Sequence, residues 1–175
     1  DTVGTVTLPA GLTATRVAVG GNHALALMSN GAVYAWGRNT NGQLGLGDAA
    51  LRAVPTLVTL PRAAIAIAAG RDFSIAVLND GSVYSWGLNN LGQLGIGSRS
   101  VSLSGSPVAV TGVSNARDVA AGGDHVLVLR NDGTVVAWGL NASGQLGVGD
   151  LVIRRAPVAL ALTGVSEIRA GGDLS

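Results

Sequence analysis

Cysteine is absent from this 175-residue sequence, which excludes disulfides, zinc–thiolate sites and thiol catalysis. Lysine is absent as well: all 11 basic residues are arginine, and Glu167 is the single glutamate. A P-loop needs a lysine to reach the β- and γ-phosphates of a nucleotide, and a coiled coil draws heavily on glutamate and lysine, so neither fits. Aromatic residues make up 3% of the chain and charged residues 12%, and the formal net charge is +1. Such a balance gives no electrostatic footprint for nucleic acid or an anionic membrane. No apolar run approaches the about 18 residues of a membrane-spanning helix; the greasiest stretch is Ala63 to Ala69.

What is present is small and apolar. Hydrophobic residues reach 47%, and glycine, at 27 residues, far exceeds its usual share of about 7%. High hydrophobicity with little charge excludes disorder. The core must be built from Ala, Val, Leu and Ile on tight, glycine-punctuated turns, and a mean hydropathy of +0.43 reads as buried strands. The first residue is Asp, which reads as a processed or trimmed N-terminus.

An internal repeat organises the chain. Trp36, Trp86 and Trp138 are each followed by glycine, and each lies five residues after a turn glycine, Gly31, Gly81 or Gly133. A shared string follows: NTNGQLGLGD from Asn39, NNLGQLGIGS from Asn89 and NASGQLGVGD from Asn141. Upstream, VGGNHALAL, AGRDFSIAV and AGGDHVLVL occupy one phase. Aligning Pro55, Pro107 and Pro157, with Thr5 in their place at the start, gives units 5–54, 55–106 and 107–156 and a partial fourth unit, 157–175.

Each unit reads as about four short antiparallel strands. Val17–Val19 and Ile65–Ala69 are small and apolar, and His23-Ala-Leu-Ala-Leu alternates as a strand with two packed faces. Asn30-Gly31, Asp80-Gly81 and Asp132-Gly133 predict two-residue hairpin turns with both central residues at positive φ. The strand from Ala32 to Trp36 and a Pro-led strand complete the unit, and no segment carries a capped helical period. Four strands recurring at this length describe a β-propeller blade.

The pattern G-x-x-H followed by W-G-x-N-x-x-G-Q-L-G-x-G-D resembles the regulator of chromosome condensation (RCC1-type) repeat family across essentially the whole chain. The second unit departs twice, with Phe73 where His23 and His125 stand and with Ser98 in place of Asp48 and Asp150. The resemblance implies a seven-bladed propeller, which at about 50 residues a blade takes about 350 residues. The expectation is therefore an all-β, partial propeller of about three blades plus a half unit. Both ends offer the same half, so the remaining blades of the same propeller, or other chains, are expected to cover the open ends.

Little in the repeat carries catalytic chemistry. His23 and His125 fall at one repeat phase, which predicts structural histidines, and Phe73 at the third position fills similar space. Gly42-Gln-Leu-Gly-Leu-Gly47 resembles a nucleotide loop, but no helix follows it. It reads instead as a compact loop, with Leu44, Leu94 and Leu146 as plugs and Asn39, Asn89 and Asn141 bonding local backbone. Asp48 and Asp150 end their loops singly, whereas a calcium loop needs several oxygens. The tryptophans are expected to be buried at equivalent places, each against the Leu of a GQLG string. No catalytic residue, metal site or cofactor is expected, and no enzyme.

Function is sought where the units differ. Arg38 stands where Leu88 and Leu140 stand, Arg71 replaces Gly21 and Gly123, and Arg99, Arg154 and Arg155 lie in segments that diverge after the shared string. Arginine is enriched at binding hot spots, which makes these five the candidate partner-binding residues. The reading is a non-catalytic protein-binding or scaffold module, with no nucleic acid and no membrane insertion. The resemblance also implies two narrower alternatives: an inhibitor of a secreted enzyme, like the propellers that block β-lactamases, or a guanine-nucleotide exchange factor for a small GTPase. Arginine without lysine, with heavy Ala, Gly and Val use, points to a GC-rich bacterial source and an extracellular or envelope setting, with the cytoplasm as the alternative.

Overall fold

The computed structural model describes residues 6, 8, 10–98 and 101–175; Thr5, the start assigned to the first unit, and Arg99 lie outside them. Three four-stranded antiparallel sheets carry the described chain, with no helix. The first runs β1 (Ala14–Val19), β2 (His23–Met28), β3 (Val33–Gly37) and β4 (Arg52–Val58) in spatial order. The second runs β5 (Ala64–Ala69), β6 (Phe73–Leu78), β7 (Val83–Leu88) and β8 (Leu103–Ala109), and the third β9 (Ala116–Ala121), β10 (His125–Arg130), β11 (Val135–Gly139) and β12 (Arg154–Ala159). This is the expected all-β blade, repeated three times. No helix is long and apolar enough to cross a membrane among the described residues.

Sequence units and sheets are out of phase. Pro55, Pro107 and Pro157 lie inside β4, β8 and β12, the last strand of each sheet. An edge strand tolerates proline because its missing N–H breaks no ladder. The ladder also slips beside each tryptophan: Gly37 pairs with Arg52 but Ala35 with Thr56, and the same offset recurs at Gly87/Ser104 and Gly139/Arg154.

The hairpin turns differ from the expected type. Asn115 is the one non-glycine residue with positive φ among those described, so Asn30, Asp80 and Asp132 do not make two-residue turns with two positive φ values. Met28 N–H donates to Ala32 and Gly31 N–H back to Met28, leaving the three-residue loop Ser29–Asn30–Gly31. Here the first residues turn with negative φ and glycine supplies the left-handed position. The Asn30 side-chain oxygen accepts from Ala32 N–H at 3.0 Å, and Asp80 and Asp132 repeat the bond. That local bond fixes the longer loop, and an Asn-Gly or Asp-Gly pair serves either geometry.

The core lies between sheets. β2, β6 and β10 are buried along nearly their whole length, as two packed faces require. Leu25, Leu27 and Leu44 of the first blade pack with Ala76, Leu78 and Trp86 of the second. Phe73, Ile75 and Leu94 pack with Val126, Val128 and Trp138. A third, smaller cluster joins Leu127, Leu129 and Leu146 to Val165 and Ile168. In the partial fourth unit, 166–170 forms no strand, although the segment is held at both ends: Val165 N–H donates to Gly133 and Gly123 N–H to Gly172. For β5 the matching bonds are Ala64 N–H to Gly31 and Gly21 N–H to Arg71. Among the described residues, no second strand pairs with 166–170.

Candidate protein-interaction surface

Antiparallel order places the β1–β2 and β3–β4 loops, and their repeats, at one end of the blades. Each β3–β4-type loop is closed by one asparagine. The Asn39 side chain accepts from Leu44 N–H at 2.9 Å and donates to Asp48 O at 2.9 Å. Asn141 repeats both bonds with Leu146 and Asp150, and Asn89 holds Leu94 N–H and donates to Val101 O. Leu44, Leu94 and Leu146 are fully buried, the plugs the string predicts. The glycine amides are consumed: Gly42 and Gly45 donate within the loop and Gly47 to Gly105, so they do not converge on an anion. Asp48 is spent as well, on Arg52 at 2.5 Å and on the Ala50 amide. The Arg52 hydrogen bond, then the Ala50 amide, hold its carboxyl below the usual range. Asp150 is held low likewise, by the Val152 amide first and then by Arg154.

The same loops join blade to blade. The Gln43 carbonyl accepts from Trp86 Nε1 at 2.9 Å and from Ser74 Oγ at 2.8 Å. The Gln43 amide nitrogen donates to Asp72 at 3.1 Å, and Gln93 repeats the reach to Asp124 at 3.1 Å. His23 Nε2 lies 2.8 Å from Ser74 Oγ. Ser74 gives its proton to Gln43, so His23 carries its own on Nε2 and donates. Burial pushes His23 down to about 4, against the opposing pull of Asp72. His125 is also lowered by burial and lies 2.6 Å from Ser175 Oγ. Both histidines thus act as neutral inter-blade links.

The structure separates the candidate arginines. Arg154 pairs with Asp150 at 2.5 Å, as Arg52 pairs with Asp48, so it belongs to the repeated frame. The second unit has serine at both corresponding places, Ser98 and Ser104, a paired exchange that an aligned reading of the units could have found. Arg155 donates to Asn90 O at 3.1 Å, across to the second blade's loop. Arg38 is exposed and bonds Thr40 at 2.8 Å. Arg71 meets Asp124 at 3.0 Å, with the guanidinium side chain 61% exposed and the carboxylate side chain 4%. Its guanidinium lies over Gly123, where a Cβ would come within 3.2 Å of it. These four share the loop end, yet each engages a different partner.

The tryptophans also divide. Trp86 and Trp138 are fully buried, whereas Trp36 is half-buried, which corrects the expectation of three equivalent environments. A tryptophan is covered by the loop of the preceding blade, and no described loop precedes Trp36.

Repeated four-stranded blades, cored between sheets and locked loop to blade, define a β-propeller repeat protein. Residues 30–77, 80–129 and 132–175 each match the regulator of chromosome condensation (RCC1) repeat, and the chain belongs to that family. It is 36% identical over 137 residues to the ultraviolet-B receptor UVR8 of Arabidopsis thaliana, covering 77% of this chain and 31% of that protein. It is 35% identical over 153 residues to the probable E3 ubiquitin-protein ligase HERC3 of Homo sapiens, covering 87% of this chain and 10% of that protein. Among solved structures, Prp20p of Saccharomyces cerevisiae superposes with a TM-score of 0.81 at 25% identity over 91% of this chain and 42% of its own. Human WBSCR16 gives 0.81 at 26% identity, over 95% and 46%. The chain therefore spans less than half the length of each.

Proposed function

We propose that this chain is a non-catalytic protein-binding or scaffold module whose blade-end loops meet a protein partner. One observation carries the reading: a repeated asparagine-closed loop frame presents side chains that differ from blade to blade, with Arg38 and the guanidinium of Arg71 standing out into solvent. Rigid presentation lowers the ordering cost of binding, and arginine supplies a planar, multi-donor contact. Related propellers support the reading. Prp20p is described by its binding to Gsp1p and histones, and yeast RCC1 (Prp20) has been seen bound by Kap60.

The test is affinity capture from the source cell with mass spectrometry, comparing the native chain with Arg38→Leu and Arg71→Gly, the residues other units carry there. A protein captured by the native chain and depleted by either change supports the module. A captured set identical for all three chains overturns the assignment of these arginines. Recovery of a small GTPase or a β-lactamase would select one of the narrower alternatives. The extracellular or envelope setting belongs to this proposal, and fractionation of the same cells reads it out.

A further inference from the structure

The hairpin turns at the far end of the blades from the asparagine-closed loops carry Asn30, Asp80 and Asp132 at one phase, each before a glycine. The side-chain oxygen of each accepts from the amide two residues on, at 3.0, 3.0 and 2.9 Å. Asp80 and Asp132 are held a second time by a hydroxyl, Ser82 Oγ at 2.6 Å and Thr134 Oγ1 at 2.7 Å, and Asp80 also by Arg62 at 2.8 Å. Ala32 offers Asn30 no hydroxyl, and Asn30 is exposed. Its bond to Ala32 folds the side-chain amide back over the Gly31 peptide and polarises the amide carbonyl. Glycine has no Cβ to shield the nitrogen that follows Asn30. A second Asn-Gly pair, Asn41-Gly42, is held differently. There the fully buried Gln43 side chain braces the loop by accepting from Asn41 N–H at 2.9 Å. Gly42 is itself buried and packed on Gly105, where a Cβ would come within 2.6 Å.

We propose that Asn30 is a modification site, the Asn-Gly pair that the fold leaves open to deamidation through a cyclic imide. The Gly31 nitrogen, giving its proton to solvent base, bonds to the Asn30 side-chain carbonyl carbon. The bond from that carbon to the side-chain nitrogen breaks, and ammonia leaves. Water then opens the ring at either carbonyl, so the net change is one water gained and one ammonia lost. Opening at the former side-chain carbonyl leaves aspartate, the residue the other two turns already have, with an oxygen to keep the Ala32 bond. It also puts a carboxylate in the cleft that Asn30 shares with Arg62. Opening at the backbone carbonyl leaves an isoaspartyl link, one methylene longer in the main chain. This turn is part of a blade joint, since Gly31 O accepts from Ala64 N–H at 2.8 Å, and the longer link displaces it. Gly31 N–H is held by Met28 O at 2.9 Å, so attack waits on local opening of the turn and is slower than in a free peptide.

The folded chain is incubated in heavy-oxygen water at mildly alkaline pH and then digested after arginine. Cleavage at Arg16, Arg38 and Arg52 puts the two Asn-Gly pairs on separate peptides, 17–38 and 39–52. Mass spectrometry should find heavy oxygen at Asn30 at least roughly tenfold sooner than in 39–52, because the packed Gly42 site needs the larger opening. The chain unfolded in urea should label both peptides comparably, and Asn30→Gln, whose longer side chain closes an imide ring far more slowly, should lose the label at position 30. Equal labelling in the folded chain, label in 39–52 alone, or a folded chain that labels at neither pair while the unfolded chain does would overturn the site. An equal preference for Asn30 in urea would assign it to the local sequence and overturn the role of the fold. Brief trypsin treatment of the aged, folded chain reads the joint. The isoaspartyl fraction should be cut after Arg62, in the adjoining connection, before the unmodified fraction, and equal cutting would overturn the effect on the joint.

Discussion

The indole N–H of Trp86 donates to the backbone carbonyl of Gln43 at 2.9 Å, across the boundary between two blades. The tryptophan of one unit is thus completed by the loop of the unit before it. Trp86→Ala removes a fully buried ring and its hydrogen bond, and should cost about 3–5 kcal/mol in a denaturant titration, as large-to-small core changes do. Trp86→Phe keeps most of the packing and should lose about 1–2 kcal/mol, with the Gln43 carbonyl still served by Ser74. Trp36→Ala, at a half-buried position, should cost about 1 kcal/mol. Equal costs at positions 36 and 86 would contradict the blade-to-blade assignment.

Gly45 and Gly147 are equivalent in sequence, and both have positive φ, at 72° and 64°. Alanine at either pays a left-handed strain of about 1–2 kcal/mol. Only at Gly45 does the new Cβ also strike the Trp86 ring. Gly45→Ala should therefore be more destabilising than Gly147→Ala by a further ~1–3 kcal/mol, the usual cost of overpacking. Thermal melts of the two variants give the difference directly, and the shared backbone term cancels.

These two residues also mark how far the sequence could be read. The Trp–Gly and GQLG phases exposed the blade and the local role of Asn39, because these depend on contacts within one unit, and the leucine plugs showed as an apolar residue fixed within a polar, glycine-rich string. The partner of each tryptophan depends on how units stack, which periodicity does not encode, so Trp36 looked equivalent to Trp86. Pro55 marked a reliable phase but sits in the last strand of its sheet, since a repeat may be cut anywhere along its period. Asn30-Gly31 named a turn without fixing its length, because the Asn30 side chain can close a three-residue loop. Arg71 stood out by replacing glycine, but its ion pair with Asp124 emerges only when two loops meet.

His23 faces Ser74, while Phe73, at the same phase one blade on, shares a cluster with Val126 at the serine's phase. The polar pair and the apolar pair are alternative fillings of one inter-blade site. His23→Phe should cost about 1–2 kcal/mol by stripping Ser74 of its donor in a buried place. Adding Ser74→Val rebuilds the apolar pair, so the double variant should be more stable than the sum of the single losses predicts. A double-mutant cycle by urea unfolding measures the coupling. Strict additivity would mean that the two side chains do not interact.

The same histidine sets an acid limit. Its folded value of about 4 lies below the ordinary 6.5 because burial disfavours the imidazolium. Above pH 6.5 neither state holds the proton. Between 6.5 and 4 the unfolded chain takes it up and the folded chain does not, so stability falls with pH across that window. At about 1.4 kcal/mol per pKa unit, the loss reaches roughly 3 kcal/mol near pH 4. His125 acts in the same direction. Asp48, Asp80, Asp132 and Asp150, all held below 3.8, add their losses only under more acid conditions. Urea midpoints from pH 7.5 to 4 should drop steeply for the native chain and more gently for His23→Phe.

Asp124 is the most enclosed carboxylate in a described ion pair, 4% exposed, and is held by Arg71 at 3.0 Å and Gln93 at 3.1 Å. Because the Arg71 side chain is 61% exposed, water and salt screen the pair, and its Coulomb energy is small. The larger effect of Arg71→Ala is to leave a buried carboxylate with one neutral donor. The expected cost is about 1–2 kcal/mol, and it should barely depend on salt, since a desolvation penalty is not screened. Asp124→Asn in the Arg71→Ala background removes the charge while keeping an acceptor for Gln93, and should recover much of the loss. Stability measured at low and high salt across the four chains decides between the two origins. Recovery in the double variant assigns the cost to the stranded carboxylate, and a large, salt-sensitive loss without recovery assigns it to the ion pair itself.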